Sequence, residues 1–173
     1  ILSRLAVNTV AGWTRNPGGG PEDGVELSGD EPVKAGVSPG ERIADYCVTQ
    51  LFPQADFLVD LHSGGQTGLL TPCLFFPAGA GQAVEEAAFA AAMATDIPYL
   101  SASVAASGQY SYAATAMGIP GLLLERGHSG HCREEWIQGY QRDLRLLLQH
   151  FAMVDLGERA PIGPKTVCRE TVY

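Results

Sequence analysis

The sequence predicts a three-layer α/β fold, in which helices cover both faces of a mostly parallel β-sheet. Short apolar runs that end in an ionisable residue followed by glycine are typical of buried strands in such sheets. Segments with helical spacing of apolar residues alternate with these runs. The chain has 173 residues, of which 46% are hydrophobic and 17% charged, and this composition can form one substantial core.

Charge and cysteine content exclude several classes of function. The formal charge is −8, with only 11 Lys and Arg residues, so we expect neither nucleic acid nor a membrane surface as a partner. The longest apolar stretches are too short to cross a bilayer, and no signal peptide precedes the first strand-like segment. The four cysteines contain no Cys-x-x-Cys pair, which favours buried free thiols. These features predict a cytoplasmic protein.

The first forty residues predict one strand and one long loop. Residues 1–10 carry apolar side chains at strand-like positions. Residues 12–40 are rich in glycine and proline, a composition that disfavours regular elements. Loops of this length inside a compact domain are usually functional or disordered. Arg15 lies within this loop, and a solvated loop cation is the commoner role for such an arginine when it stands alone.

The segment after the loop predicts a helix with defined ends. Ser38-Pro39-Gly40-Glu41 has the pattern of a capping box with proline at the first helical position, so the helix should begin at Pro39. Pro53 should end it. Apolar spacing then predicts strands at 57–62, 69–76, 99–104 and 166–173, and helices at 82–95, 110–117 and 133–153. The apolar stripe of the last helix should comprise Trp136, Ile137, Tyr140, Leu144, Leu147, Leu148 and Phe151.

The strand at 57–62 ends in His62, the first candidate functional residue. Gly64 and Gly65 follow and permit the backbone to leave strand geometry. The histidine therefore lies at the carboxyl end of a strand, where open α/β sheets bind their ligands. An ordinary strand-end histidine that bonds only to its neighbours fits this spacing equally well.

The same pattern occurs a second time and ends in Glu125. Residues 118–127 again comprise a turn, an apolar run, an ionisable residue and a glycine. If the two strands deliver their side chains to the same edge of the sheet, His62 and Glu125 can converge although they are 63 positions apart (125 − 62). A metal-binding imidazole that faces a general-base carboxylate is the arrangement of zinc hydrolases.

These two motifs together resemble the succinylglutamate desuccinylase/aspartoacylase family, whose members are related to zinc carboxypeptidases. The resemblance covers about residues 7–157. It is carried by Asp60-Leu61-His62-Ser63-Gly64-Gly65, Gly118-Ile119-Pro120, Leu124-Glu125-Arg126-Gly127 and the helical segment from Ser38 to Asp45. It implies that His62 is a zinc ligand, that Glu125 is the catalytic carboxylate and that Arg15 binds the substrate. Ser28 and Gly29 stand where the family has an asparagine-arginine pair, so substrate recognition should differ.

The resemblance also implies that the chain is truncated at both ends. The family supplies its other two zinc ligands as His-x-x-Glu before the histidine strand, but residues 1–61 contain no histidine. Residues 1–157 would then form a partial zinc-hydrolase-like domain, and residues 158–173 a linker and the first strand of a C-terminal β domain. The sequence contains His-x-x-Glu only at 131–134, which is more typical of a polar helix start. His128, His131 and Cys132 could instead bind a metal by themselves.

The predicted function is zinc-dependent hydrolysis of an amide bond in an N-acyl amino acid or small N-acyl amine. Zn²⁺ is the expected cofactor, and Glu125 would act first as general base and then as general acid. Two alternatives stay open: a zinc carboxypeptidase that acts on small peptides, and a non-catalytic binding member of the family. The expected partner is a small-molecule substrate, and the exposed helix faces could also form a homo-oligomer interface.

Overall fold

The computed structural model describes residues 38–65, 68–104, 109–158 and 161–172. The predicted strand at 1–10, the glycine-rich loop and the candidate substrate residue Arg15 lie outside the described residues, as do Ser28 and Gly29. Within the described ranges, no helix combines the length and the apolar character that crossing a bilayer requires.

Helix α1 (Pro39–Tyr46) begins where the capping box predicts. The Ser38 hydroxyl accepts a hydrogen bond from the Glu41 backbone at 3.2 Å, and the Glu41 carboxylate accepts one from the Ser38 backbone at 2.8 Å. After Tyr46 the helix widens into a π-helical turn and then tightens into a 3₁₀ turn that contains Pro53. The helical path therefore ends near the predicted proline, but its last two turns are not α-helical.

The remaining elements follow the predicted segments closely. The strands are β1 (Leu58–Gly64), β2 (Cys73–Pro77), β3 (Tyr99–Ser103), β4 (Gly121–His128) and β5 (Thr166–Val172). The helices are α2 (Gln82–Ala94), α3 (Gln109–Met117) and α4 (Glu134–His150). Gly118 follows α3 with φ +69°, the left-handed conformation that glycine adopts after a helix.

The described strands form one sheet in the order β1-β4-β2-β3-β5. The pairs β1–β4, β2–β3 and β3–β5 are parallel, and the pair β2–β4 is antiparallel. The mostly parallel α/β sheet is therefore confirmed. Strand β5 pairs with β3 in this same sheet, and the predicted domain boundary after residue 157 stays a prediction.

Two separate apolar clusters cover the two faces of the sheet. One contains Leu74, Leu124 and Leu147 together with the alanines of α2, and Val59 packs against it. The other contains Phe52 and α3, and Leu58 packs against it. Because consecutive strand residues point to opposite faces, the adjacent positions 58 and 59 mark the two sides. The predicted three layers are confirmed.

Two predictions about burial are wrong for the described residues. The apolar run that ends in His62 predicts a buried strand, but β1 forms an edge of the described sheet and Leu61 is 44% exposed. Of the predicted apolar stripe, Ile137 of α4 and Phe151, which follows the helix, are also exposed, whereas Asp143 is fully buried. Asp143 can be buried because it forms an ion pair with Arg126 of β4. This pair places the face of α4 that carries Asp143 against the sheet.

Candidate active site

His62 and Glu125 are direct partners in the parallel register of β1 and β4. Cross-strand partners project to the same face of a sheet, and the two side chains meet there, with 3.7 Å between His62 Nδ1 and Glu125 Oε1. Asp60 lies two residues before His62 and therefore on the same face. Its Oδ2 atom is 3.3 Å from His62 Nε2. The imidazole thus lies between two carboxylates, and the predicted convergence of His62 and Glu125 is observed.

The Glu125 carboxyl is placed where ionisation is costly. Its side chain is 16% exposed, and within the described part of the chain its Oε2 atom is buried without a hydrogen-bond partner. Burial raises the pKa of Glu125, the nearby His62 opposes this shift, and the negative charge of Asp60 adds to it. A carboxyl that holds its proton more tightly than an exposed one is better suited to act as a general acid after it has acted as a general base.

The histidine is oriented in a way that suits a metal ligand. Metal-binding histidines commonly direct one ring nitrogen at a carboxylate, which fixes the tautomer, while the other nitrogen binds the metal. In His62, the Asp60 carboxylate lies beside Nε2, and Nδ1 faces the Glu125 carboxylate. A catalytic zinc site needs three protein ligands. Among the residues that the structure describes, no group of three histidine, cysteine or carboxylate side chains could hold a metal, so His62 would supply one part of such a site.

The alternative metal site at His128, His131 and Cys132 is not formed, since all three lie within the described residues and are not grouped there. The His128 ring packs against Trp136 with 4.9 Å between ring centroids, and its Nδ1 atom is 3.0 Å from the Ser129 hydroxyl. Glu134 is the first residue of α4, which agrees with the prediction that 131–134 is a polar helix start.

The loops that follow β1 and β4 are bonded to each other. The backbone N–H of Gly130 donates to the Gly65 carbonyl at 2.7 Å, and that of Ser129 donates to the Gly68 carbonyl at 3.1 Å. Ser129 has φ +56° and Gly65 has φ +63°, conformations that allow both loops to turn at the edge of the sheet. These bonds join the two strand ends beyond the site residues.

The structure adds three residues that the sequence reasoning did not assign to the site. Asp60 could have been found, because a carboxylate that interrupts an apolar strand two residues before a histidine shares its face. Cys73 is the antiparallel partner of Glu125 in β2, and burial followed by the charge of Glu125 raises the pKa of its thiol. Tyr140 of α4 packs against the core, as predicted. In addition, its hydroxyl accepts a hydrogen bond from the Arg126 backbone at 2.6 Å and donates to the His62 carbonyl.

Comparison with known proteins identifies a family. Residues 23–151 match the model of the succinylglutamate desuccinylase/aspartoacylase catalytic domain. Over 152 residues, the chain is 28% identical to N-alpha-acetyl-L-2,4-diaminobutyric acid deacetylase from Halomonas elongata. The match covers 84% of this chain and 43% of that protein. The chain spans less than half the length of this relative.

Solved structures show the same fold. The product-bound ectoine utilization protein EutE (DoeB) from Ruegeria pomeroyi is 29% identical, with a TM-score of 0.73, and the match covers 89% of this chain and 46% of that one. A succinylglutamate desuccinylase from a Silicibacter species is also 29% identical, with a TM-score of 0.76, and the match covers 86% and 45%. With its family-model match over 129 residues (23–151), the chain belongs to the succinylglutamate desuccinylase/aspartoacylase family.

Proposed function

We propose that the protein is a zinc-dependent amidohydrolase that removes the acyl group from an N-acyl amino acid or a small N-acyl amine. The observation that carries this proposal is the pairing of His62 with the buried Glu125 at the ends of two parallel strands. Membership of a catalytic-domain family supports it. Relatives named as a deacetylase and a desuccinylase support the choice of an acyl substrate.

In this proposal each residue of the site has a distinct role. His62 is one zinc ligand, and Asp60 is a positioning residue that holds its ring through Nε2. Zinc at such a site supplies a Lewis acid and a bound water whose pKa is about 7. Glu125 accepts a proton from the attacking water and then donates it to the leaving amine. The raised pKa of Glu125 supports this double role, because the proton must be held briefly and then released.

Substrate recognition is assigned to the glycine-rich loop. Arg15 is the proposed partner of the substrate carboxylate, because a guanidinium binds a carboxylate through two parallel hydrogen bonds. Ser28 and Gly29 replace the asparagine-arginine pair that the family resemblance implies. This replacement favours one alternative, in which the protein binds such ligands without hydrolysing them. A cytoplasmic location is part of the main proposal, because the four cysteines are free thiols, as is usual in a reducing compartment.

A substrate panel tests the proposal on the complete protein supplied with zinc. The panel comprises N-α-acetyl-L-2,4-diaminobutyrate, N-acetyl-L-aspartate, N-succinyl-L-glutamate and short peptides with a free C-terminal carboxylate. We expect release of acetate or succinate from at least one acyl amino acid, measured by chromatography.

Each other outcome of the panel has a definite reading. Release of a C-terminal amino acid from the peptides alone would replace the proposal with a zinc carboxypeptidase. Ligand binding in calorimetry without hydrolysis of any substrate would contradict catalysis and support the non-catalytic alternative.

A further inference from the structure

The register of β1 and β4 changes immediately after the two site residues. His62 pairs with Glu125, an offset of 63 positions, but Gly64 pairs with His128, an offset of 64. Strand β4 therefore contains one extra residue at this point, which is the definition of a β-bulge. Bulges interrupt the ladder of backbone hydrogen bonds and occur often beside active sites, where they redirect side chains. His62 and Glu125 thus lie directly beside an irregularity in the backbone pairing of β1 with β4.

Tyr140 of α4 places its hydroxyl at this irregularity. The oxygen accepts a hydrogen bond from the Arg126 backbone N–H at 2.6 Å and donates to the backbone carbonyl of His62. The same oxygen lies 3.1 Å from the Leu124 carbonyl. One phenol group therefore bridges β1 and β4 at the backbone of His62 and at the residues on both sides of Glu125. A backbone group buried without such a partner destabilises the fold, because it has lost its hydrogen bonds to water without gaining another.

A buried ion pair fixes the helix that carries this tyrosine. Arg126 Nε is 2.7 Å from Asp143 Oδ2, and the Asp143 side chain is fully buried. The other oxygen of Asp143 accepts a hydrogen bond from the Asp96 backbone at 2.8 Å. Gly139 leaves room for the arginine, because a Cβ atom at that position would lie 3.0 Å from the Arg126 guanidinium carbon. Helix α4 is therefore anchored to β4 on the side of the strand opposite the Glu125 side chain.

The tyrosine keeps its proton in this environment. Burial raises the pKa of Tyr140 well above its ordinary value, the hydrogen bond from the Arg126 backbone opposes the shift, and the charge of Glu125 adds to it. The described hydrogen bonds of the Tyr140 hydroxyl are all to backbone groups, so it is placed to hold the two strands and not to exchange a proton with a substrate.

We propose that Tyr140 is a positioning residue that bridges the bulge between β1 and β4 and thereby sets the separation of His62 and Glu125. This inference rests on the proposed function, in which these two side chains act together. Removal of the hydroxyl should leave substrate binding nearly unchanged and slow the chemical step, since outer-shell partners of metal ligands typically contribute about 10–100-fold. A tyrosine that only fills the core would lower stability without this selective effect.

The test compares Tyr140→Phe with Thr95→Val in the complete protein. Thr95 is also fully buried and its hydroxyl donates to a backbone carbonyl, that of Ala92. The other described hydrogen bonds of Thr95 go to Ala92 and Lys165. For each variant we would measure kcat and KM on the best acyl substrate, the melting temperature, and amide hydrogen exchange at Arg126. We expect Tyr140→Phe to lower kcat by about 10–100-fold with KM within about twofold. Exchange at Arg126 should accelerate by about fivefold or more.

Other results would overturn the inference. If kcat in Tyr140→Phe stays at the wild-type value, or falls no more than in Thr95→Val, the tyrosine has only a structural role. If the wild-type protein hydrolyses no substrate, the proposed function fails, and hydrogen exchange alone decides the inference. Unchanged exchange at Arg126 would then show that the hydroxyl does not hold the two strands, whereas acceleration confined to Arg126 and its neighbours would retain the bridge.

Discussion

Among single residues, the Glu125 carboxyl lowers the stability of the folded chain when it is ionised. Its pKa is raised in the folded protein, mainly by burial, so the folded state binds its proton more tightly than the unfolded state does. Stability from this group is therefore complete below the unfolded pKa, about 4.3, and is lost as pH rises through the folded pKa.

The direction of this pKa shift leads to a prediction for the stability of the metal-free chain. Glu125→Gln should raise the melting temperature at pH 8 relative to wild type and change it little at pH 4, because the variant never carries the buried charge. Each kcal/mol corresponds to about 2–4 °C for a chain of this size. Thermal unfolding monitored by circular dichroism across this pH range would measure the effect. The exposed residue Glu158, replaced by glutamine, is the control. An equal pH dependence in wild type and Glu125→Gln would contradict the assignment of a buried, destabilising charge.

At the scale of elements, the contact between α4 and β4 explains a glycine within a helix. Glycine normally destabilises a helix interior by about 1 kcal/mol relative to alanine, yet Gly139 lies within α4. A Cβ atom there would meet Arg126 at 3.0 Å, and the arginine is held by its bond to Asp143. The helix therefore has a residue of low helix propensity at position 139, because glycine leaves room there for the Arg126 guanidinium.

A double-mutant cycle tests this explanation. We expect Gly139→Ala to lower the free energy of unfolding in the wild-type background, because the added methyl group displaces the arginine from its carboxylate. In an Arg126→Ala background the same change should be stabilising by up to about 1 kcal/mol, since only helix propensity remains. Chemical denaturation of the four proteins measures both values. Stabilisation in the wild-type background would show that the arginine does not need the glycine.

The sequence could predict several of the helices and strands, but not all of the contacts between them. The capping box predicted α1, and the glycines after two apolar runs predicted the strand ends that carry His62 and Glu125. Both signals depend only on residues that are neighbours in the sequence. The antiparallel pairing of β2 with β4 could not be predicted, since it depends on which strands pack together. Asp143 could have been noticed: it lies three residues after Tyr140 and four before Leu147, so it falls on the buried stripe of the helix. The role of the Tyr140 hydroxyl depends on a bulge that periodicity does not reveal.

In the molecule as a whole, the proposed zinc site needs ligands in addition to those that the structure describes. The chain spans less than half the length of its relatives, and β1, which carries His62, lies at an edge of the described sheet. A catalytic zinc ion needs three protein ligands, and His62 provides one in the proposed function. Tests of catalysis therefore belong to the complete protein, whereas tests of packing and stability can use this chain, whose described core is continuous on each face of the sheet.

We propose that Glu125 performs proton transfer beside a zinc ion held in part by His62. The most direct test is turnover of the best acyl substrate by Glu125→Gln in the complete protein, with bound zinc quantified in the same sample. We predict that kcat falls by at least about 10²–10⁴-fold, the range typical of a lost general acid or base, while zinc per chain stays at the wild-type value. His62→Ala, as the matched variant, should lose zinc. Turnover of Glu125→Gln within about tenfold of wild type would contradict the account.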